Sequence, residues 1–112
     1  MHGVVETPSY LSDAERLFTG EERIAIVDRI AANPQCGVLI PDTGGIRKVR
    51  FAFGGRGKRG GARVIYFLDQ EDVPIFLLAV FAKNEKADLT RAERAALAKS
   101  IKGMIAAYRS HR

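Results

Sequence analysis

The sequence predicts an α+β domain, and three observations carry that prediction. Apolar residues recur at helical spacing near both ends of the chain. Between residues 46 and 69 the period changes to two. Ile75–Ala82 is apolar without a break, as expected of a central strand covered on both faces. The order of elements is (β)ααβββα. The simplest packing is an antiparallel sheet with the two N-terminal helices and the C-terminal helix on one side. With 112 residues the chain has the size of one domain, so residues 1–112 are read as a single unit.

Gly3–Thr7 reads as a short first strand. Pro8 suits a first helical turn. Ser12-Asp-Ala-Glu15 and Thr19-Gly-Glu-Glu22 both fit the capping box, in which a hydroxyl and a carboxylate satisfy opposing backbone amides. They predict helices over Tyr10–Phe18 and Glu21–Ala32, the second with a stripe of Ile24, Val27 and Ile30–Ala31. Asn33-Pro34 ends it, because a proline ring disfavours helix in the residue before it. Glycines and a proline in Pro41–Gly45 mark a turn. In Ile46–Phe53, Val49, Phe51 and Phe53 share one face while Lys48 and Arg50 take the other. A second strand spans Ala62–Asp69 and a third Ile75–Ala82. Thr90-Arg-Ala-Glu93 is a further capping box, and Leu97, Ile101, Met104, Ile105 and Tyr108 give the last helix an apolar face over residues 90–110.

Composition narrows the function classes. One cysteine, Cys36, rules out an internal disulfide framework and is read as a half-buried core residue. No apolar run approaches the roughly 20 residues that cross a bilayer, so a cytoplasmic protein without membrane contact is expected. The only histidines, His2 and His111, lie at the ends, which speaks against a metal site and a Ser-His-Asp triad. Gly54–Gly61 holds glycines and a lysine but no Ser or Thr after Lys58, so it is no phosphate-binding P-loop. No cofactor is implied.

Charge is where the sequence departs from an ordinary small domain. The net charge is +5, yet residues 1–45 hold three basic and seven acidic side chains. Ile46–Leu68 holds seven basic residues and no acid. Such a segment points to a polyanion, most often nucleic acid. Arg50, Arg56, Lys58, Arg59, Arg63, Lys83 and Lys86 converge if the strand ends near Phe53, Ala62 and Ala82 fall at one edge. A cluster of cations can bind phosphates. It can also lower the pKa of a lysine until it serves as a base, which permits RNA cleavage by the neighbouring 2′-hydroxyl without a metal.

Thr43–Phe51 (TGGIRKVRF), Gly54–Tyr66 (GGRGKRGGARVIY) and Phe76–Thr90 (FLLAVFAKNEKADLT) together resemble the RelE-like toxins of bacterial toxin–antitoxin pairs, particularly the HigB-type branch. The resemblance runs from about Val4 to about Met104. It implies a RelE-like fold and an endoribonuclease that cuts messenger RNA on the translating ribosome. It also implies a cognate antitoxin, often with a helix-turn-helix domain. Carried onto this sequence, it makes Lys58 the base, Arg63 the phosphate stabiliser and Lys83 an assistant, with Lys48 and Arg50 holding substrate; Arg56 and Arg59, from their charge, are expected to add electrostatic attraction for it. Asn84 stands where that pattern has a late arginine, and Thr90 near its tyrosine, which leaves Tyr66 or Lys86 to compensate. Two other classes stay open on the residues: a ParE-type toxin that inhibits DNA gyrase without cutting RNA, and a basic nucleic-acid-binding module.

Overall fold

A computed structural model describes residues 3–52, 61–69 and 72–111. Strand β1 is Val4–Glu6; helices α1 and α2 are Pro8–Leu17 and Gly20–Ala32; β2 is Val38–Leu39, β3 Ile46–Phe51, β4 Ala62–Phe67, β5 Ile75–Ala82, and α3 Arg91–Ser110. The five strands order as β1-β5-β4-β3-β2. Four of them form the expected antiparallel array, but β1 joins β5 in parallel, with Val4 opposite Ile75, so the sheet is mixed at that edge. The sequence reading had no strand at Val38–Leu39. That element is two residues long and exposed, so it carries no alternation to detect.

The helices do not share one side. Tyr10, Ala14 and Leu17 of α1 and Ile26 and Ile30 of α2 form one core with Val49, Val64, Tyr66 and Leu77. Leu97, Ile101, Met104 and Ile105 of α3 pack on the other face, against Ile46, Ile65, Phe67 and Phe76. The expectation of one-sided cover fails because β4 and β5 bury residues of both parities, and such strands need a layer on each face. Ile24, assigned above to the apolar stripe of α2, is 63% exposed; Ile30 is buried as expected and Ile26 takes the place of Ile24.

Caps fix where the helices start. Thr19 and Thr90 each accept from the third helical amide, and Glu22 and Glu93 each accept from the cap's own amide. Ser12 does not start α1. Thr7 does: its hydroxyl accepts from Tyr10 N at 3.3 Å and donates to Leu77 O at 2.7 Å. Pro8 follows at the first helical position, where its missing amide proton costs nothing. One buried hydroxyl thus ties α1 to β5.

Tyr66 is a second tie. Its hydroxyl donates to Pro34 O at 2.6 Å and accepts from Gly37 N at 2.8 Å. A Cβ at residue 37 would sit 2.8 Å from the Tyr66 ring, so glycine is what lets the α2–β2 connection approach. Cys36, half-buried as expected, places its Sγ 3.8 Å from the same hydroxyl. No helix among the described residues is long and apolar enough to cross a membrane.

Tyr10 and Tyr66 are both fully buried, yet their hydroxyls differ: the Tyr10 hydroxyl has no hydrogen-bond partner. Tyr66→Phe should therefore cost about 1–3 kcal/mol in urea unfolding, because Gly37 N loses its acceptor, whereas Tyr10→Phe should be neutral or stabilising. Burial pushes both phenols up to about 12. Their neutral forms favour the folded state, so that stability is complete below the ordinary tyrosine value of 10.0 and is lost as pH rises through about 12. A stability titration in alkali should show a shallower loss in either Phe variant than in wild type.

Candidate nucleic-acid interface

Alternation along β3 and β4 sorts their side chains between the two covered faces. Arg47, Val49 and Phe51 take the α1/α2 face, and Arg47 donates to Gly37 O at 2.8 Å there. Ile46, Lys48 and Arg50 take the α3 face. In β4, Ala62, Val64 and Tyr66 join the first set, and Arg63, Ile65 and Phe67 the second.

The register then sets Arg50 opposite Arg63 and Arg63 opposite Phe81, a row across three strands. Lys48 lies one pair further along, opposite Ile65. α3 covers the end of this face that holds Ile46, Ile65 and Phe67, while Arg50 is exposed and Arg63 half-buried. Two like charges directly opposite each other destabilise a ladder by several tenths of a kcal/mol.

The described strand ends meet, with β3 ending at Phe51; the expected end at Phe53 lies outside the described residues. Phe51, Ala62 and Ala82 are partners in turn, and Lys83 N donates to Gly61 O at 2.9 Å. Gly61 has φ +65, and any side chain there would run into the Phe51 carbonyl, so this junction demands glycine. Lys83 is exposed, its Nζ turned back to Ala87 O at 2.7 Å. Asn84 is exposed beside it. Lys86 pairs with Glu93 and lies 5.7 Å from the centre of the Phe81 ring, which places it next to the row. Arg56, Lys58 and Arg59 lie outside the described residues.

Tyr66 is the site expectation the structure contradicts. It is fully buried on the α1/α2 face, with its hydroxyl engaged by Pro34 and Gly37, so it cannot stack on a substrate held at Arg63. Its parity in the strand already said so, since residues three apart on a strand face opposite ways.

Sequence reasoning missed the acidic partner of the row. Both oxygens of Asp88 accept from Lys48 Nζ, each at 3.1 Å. The Leu89 amide, and after it Lys48, hold the Asp88 carboxyl below the usual carboxylate range. Asp88 is 40 positions from Lys48, and no local pattern links them. A second unforeseen bond, Arg16 to Glu85 at 2.9 Å, fastens the connection after β5 to α1. Beside the Arg16–Glu85 pair opens a cavity of about 510 Å³, lined by Arg16, Phe81, Glu85, Lys86, Leu89 and Glu93 among others. Among the described residues no group of three or more His, Cys, Asp or Glu could hold a metal ion.

The row therefore offers guanidinium groups at the uncovered end of the α3 face, backed by Lys48 and flanked by Lys83 and Lys86. That arrangement suits phosphodiester oxygens, which guanidinium forks bind in a bidentate manner. Comparison with known proteins agrees with a toxin. One solved structure, a double arginine-to-alanine mutant of the E. coli toxin RelE in the free state, superposes with a TM-score of 0.56 at 14% identity, covering 77% of this chain and 87% of that one. At that identity the likeness shows the α+β fold alone. The family model described as "RelE toxin of RelE / RelB toxin-antitoxin system" matches residues 31–111, a span from the end of α2 through β2–β5 and α3. This chain belongs to the RelE toxin family of the RelE/RelB toxin–antitoxin system.

Proposed function

We propose that this toxin, of the HigB-type branch, is an endoribonuclease that cuts messenger RNA on the translating ribosome, needs no metal or cofactor, and is restrained in the cytoplasm by a cognate antitoxin with a helix-turn-helix domain. The observation that carries the reading is the facing pair Arg50–Arg63, two cations opposed in register at the uncovered end of the sheet. An inhibitor that works by protein contact alone has no need of that pairing.

In the reaction, a base removes the proton of a 2′-hydroxyl and the 2′-oxygen attacks the adjacent phosphorus. The bond to the 5′-oxygen breaks, an acid protonates that oxygen, and a 2′,3′-cyclic phosphate and a 5′-hydroxyl result. Arg63 and Arg50 bind the phosphate and gain most as its charge grows in the transition state. Lys48 is steadied by Asp88 and supplies further positive field. Lys58, outside the described residues, is the proposed base, with Arg56 and Arg59 beside it in sequence. Lys83 approaches from the end of β5, and Lys86 with Phe81 takes over the substrate-side role that buried Tyr66 cannot fill. Arg56, Arg59 and Asn84 are assigned to holding the RNA strand.

Primer extension on a defined message in a purified translation system tests this. Wild type should give cuts only when ribosomes are present, and Arg63→Ala should lower the cutting rate by about a hundredfold or more. Lys58→Ala should do the same. An intact message beside arrested growth in cells would sink the nuclease reading and favour a gyrase-type target.

Asp88→Asn isolates the electrostatics of the row. Removing one carboxylate should tighten RNA binding by up to about fivefold, the equivalent of about 1 kcal/mol for a half-exposed pair. The same change should reduce stability by less than about 1 kcal/mol at neutral pH. Because the folded Asp88 value is lowered, its contribution is present above the unfolded carboxylate range and is lost as pH falls through the lowered value. Urea titrations of the two proteins should therefore converge in acid.

A further inference from the structure

α3 has two exposed sides of different character. Arg91, Lys102 and Arg109 are spaced at 11 and 7 residues, close to whole turns, so they fall on one line along the helix. Arg94 and Lys99 flank that line. The neighbouring exposed side carries Ala92, Ala96, Ser100, Gly103 and Ala107. Glu93 is the only acid in the helix, and it is bound to the Thr90 cap and to Lys86. Solubility would be served by charge on both sides; here five cations gather on one.

Arg109 is paired with Asp72 at 2.9 Å. Arg91, Arg94, Lys99 and Lys102 make no ion pair among the described residues. Arg91, Lys99 and Lys102 are exposed and Arg94 is partly so. Arg91 and Arg94 also line a cavity of about 400 Å³ against Pro41, Asp42 and Thr43 of the turn before β3. Asp42 is the one carboxylate in that lining. From Arg91 to Lys102 the stripe extends about 16 Å along a straight helix.

We propose that this side of α3 is a docking surface for double-helical RNA, a grip on phosphates separate from the Arg50–Arg63 row. The proposal rests on the reading of the toxin as RNA-directed. Charge complementarity selects a polyanion. The lack of aromatic residues on the stripe selects a duplex over a single strand. Single strands are held by stacking bases on aromatic rings, whereas duplex RNA is held through its regular backbone and shape. Tyr108, the one aromatic of α3, sits next to Arg109 in sequence and so a hundred degrees or so off the line. A rigid helix with cations about two and three turns apart can meet separate phosphates of one duplex. A toxin that acts within a large folded RNA assembly would thereby be held in place by contacts that take no part in cutting.

The test uses the full chain and two fluorescent probes, an RNA duplex of about 20 base pairs and one of its strands alone. Anisotropy titrations are run between about 50 and 200 mM salt on wild type and the double variant Arg91→Glu/Lys102→Glu. The variant should lose about tenfold or more in duplex affinity, and its salt dependence should flatten by about two phosphate contacts. Single-strand affinity should change less than about threefold, because the Arg50–Arg63 row is untouched. In ribosome-dependent cutting the variant should raise KM and leave kcat as in wild type. Unchanged duplex binding, or an equal loss on both probes, would overturn the docking surface. If wild type cuts no message but the duplex-specific loss is seen, the nuclease reading fails while the docking surface stands. Both substituted side chains are exposed, and circular dichroism of the variant confirms the fold.

Discussion

Register between β3 and β4 is the constraint on which the rest of this molecule depends. Val49 faces Val64 and Arg50 faces Arg63, so each pair commits its neighbours to alternate sides of the sheet. A slip of one residue would turn the shifted strand over, carrying its arginine into the α1/α2 core and its valine out. Burial on that core holds the register in place: Val64, Tyr66 and Leu77 are essentially inaccessible, and Tyr10 and Ile30 seal them from the helix side. The hydrophobic layer thus fixes where the cations stand. The Arg50–Arg63 row and the α1/α2 core share the same strands but occupy opposite parities of them.

The two-sided cover follows from that division. α1 and α2 bury the apolar residues of one parity and leave only Arg47 partly exposed in β3. α3 buries the other only in part, over Ile46, Ile65, Phe67 and Phe76, and leaves the Arg50–Arg63 end open. The connection from β5 to α3 borders the opening. Asp88 reaches Lys48 from this connection, and Glu85 reaches Arg16. These are exposed pairs, each worth little alone. Their effect is geometric, since they set the border between the covered and uncovered halves of the face.

Much of this was legible locally. The capping boxes at Thr19 and Thr90 predicted helix starts because a hydroxyl and a glutamate three residues apart satisfy two amides wherever they occur. The alternation of Val49 and Phe51 with Lys48 and Arg50 predicted a strand with a basic face, and the unbroken apolar run predicted β5. Ser12 was the cap the local pattern offered for α1; the structure caps it at Thr7, whose hydroxyl is also bonded to Leu77, 70 residues away. The partner of Lys48 was equally remote. β2 left no trace, being two exposed residues held only by β3. The side assigned to α3 was a tertiary choice that no single helix encodes. Tyr66 is different: the parity that separates it from Arg63 was present in the sequence, and the reading of it as a substrate contact overlooked that.

The central claim is that RNA meets the α3-side parity of β3 and β4 and not the other. Nuclear magnetic resonance on isotope-labelled protein, titrated with a 2′-O-methylated RNA that cannot be cut, tests it residue by residue. The account predicts shift changes at Lys48, Arg50, Arg63 and Phe81, with Arg47, Val64 and Tyr66 unmoved. Changes centred on Arg47 and α2, or none at Arg50 and Arg63, would contradict it.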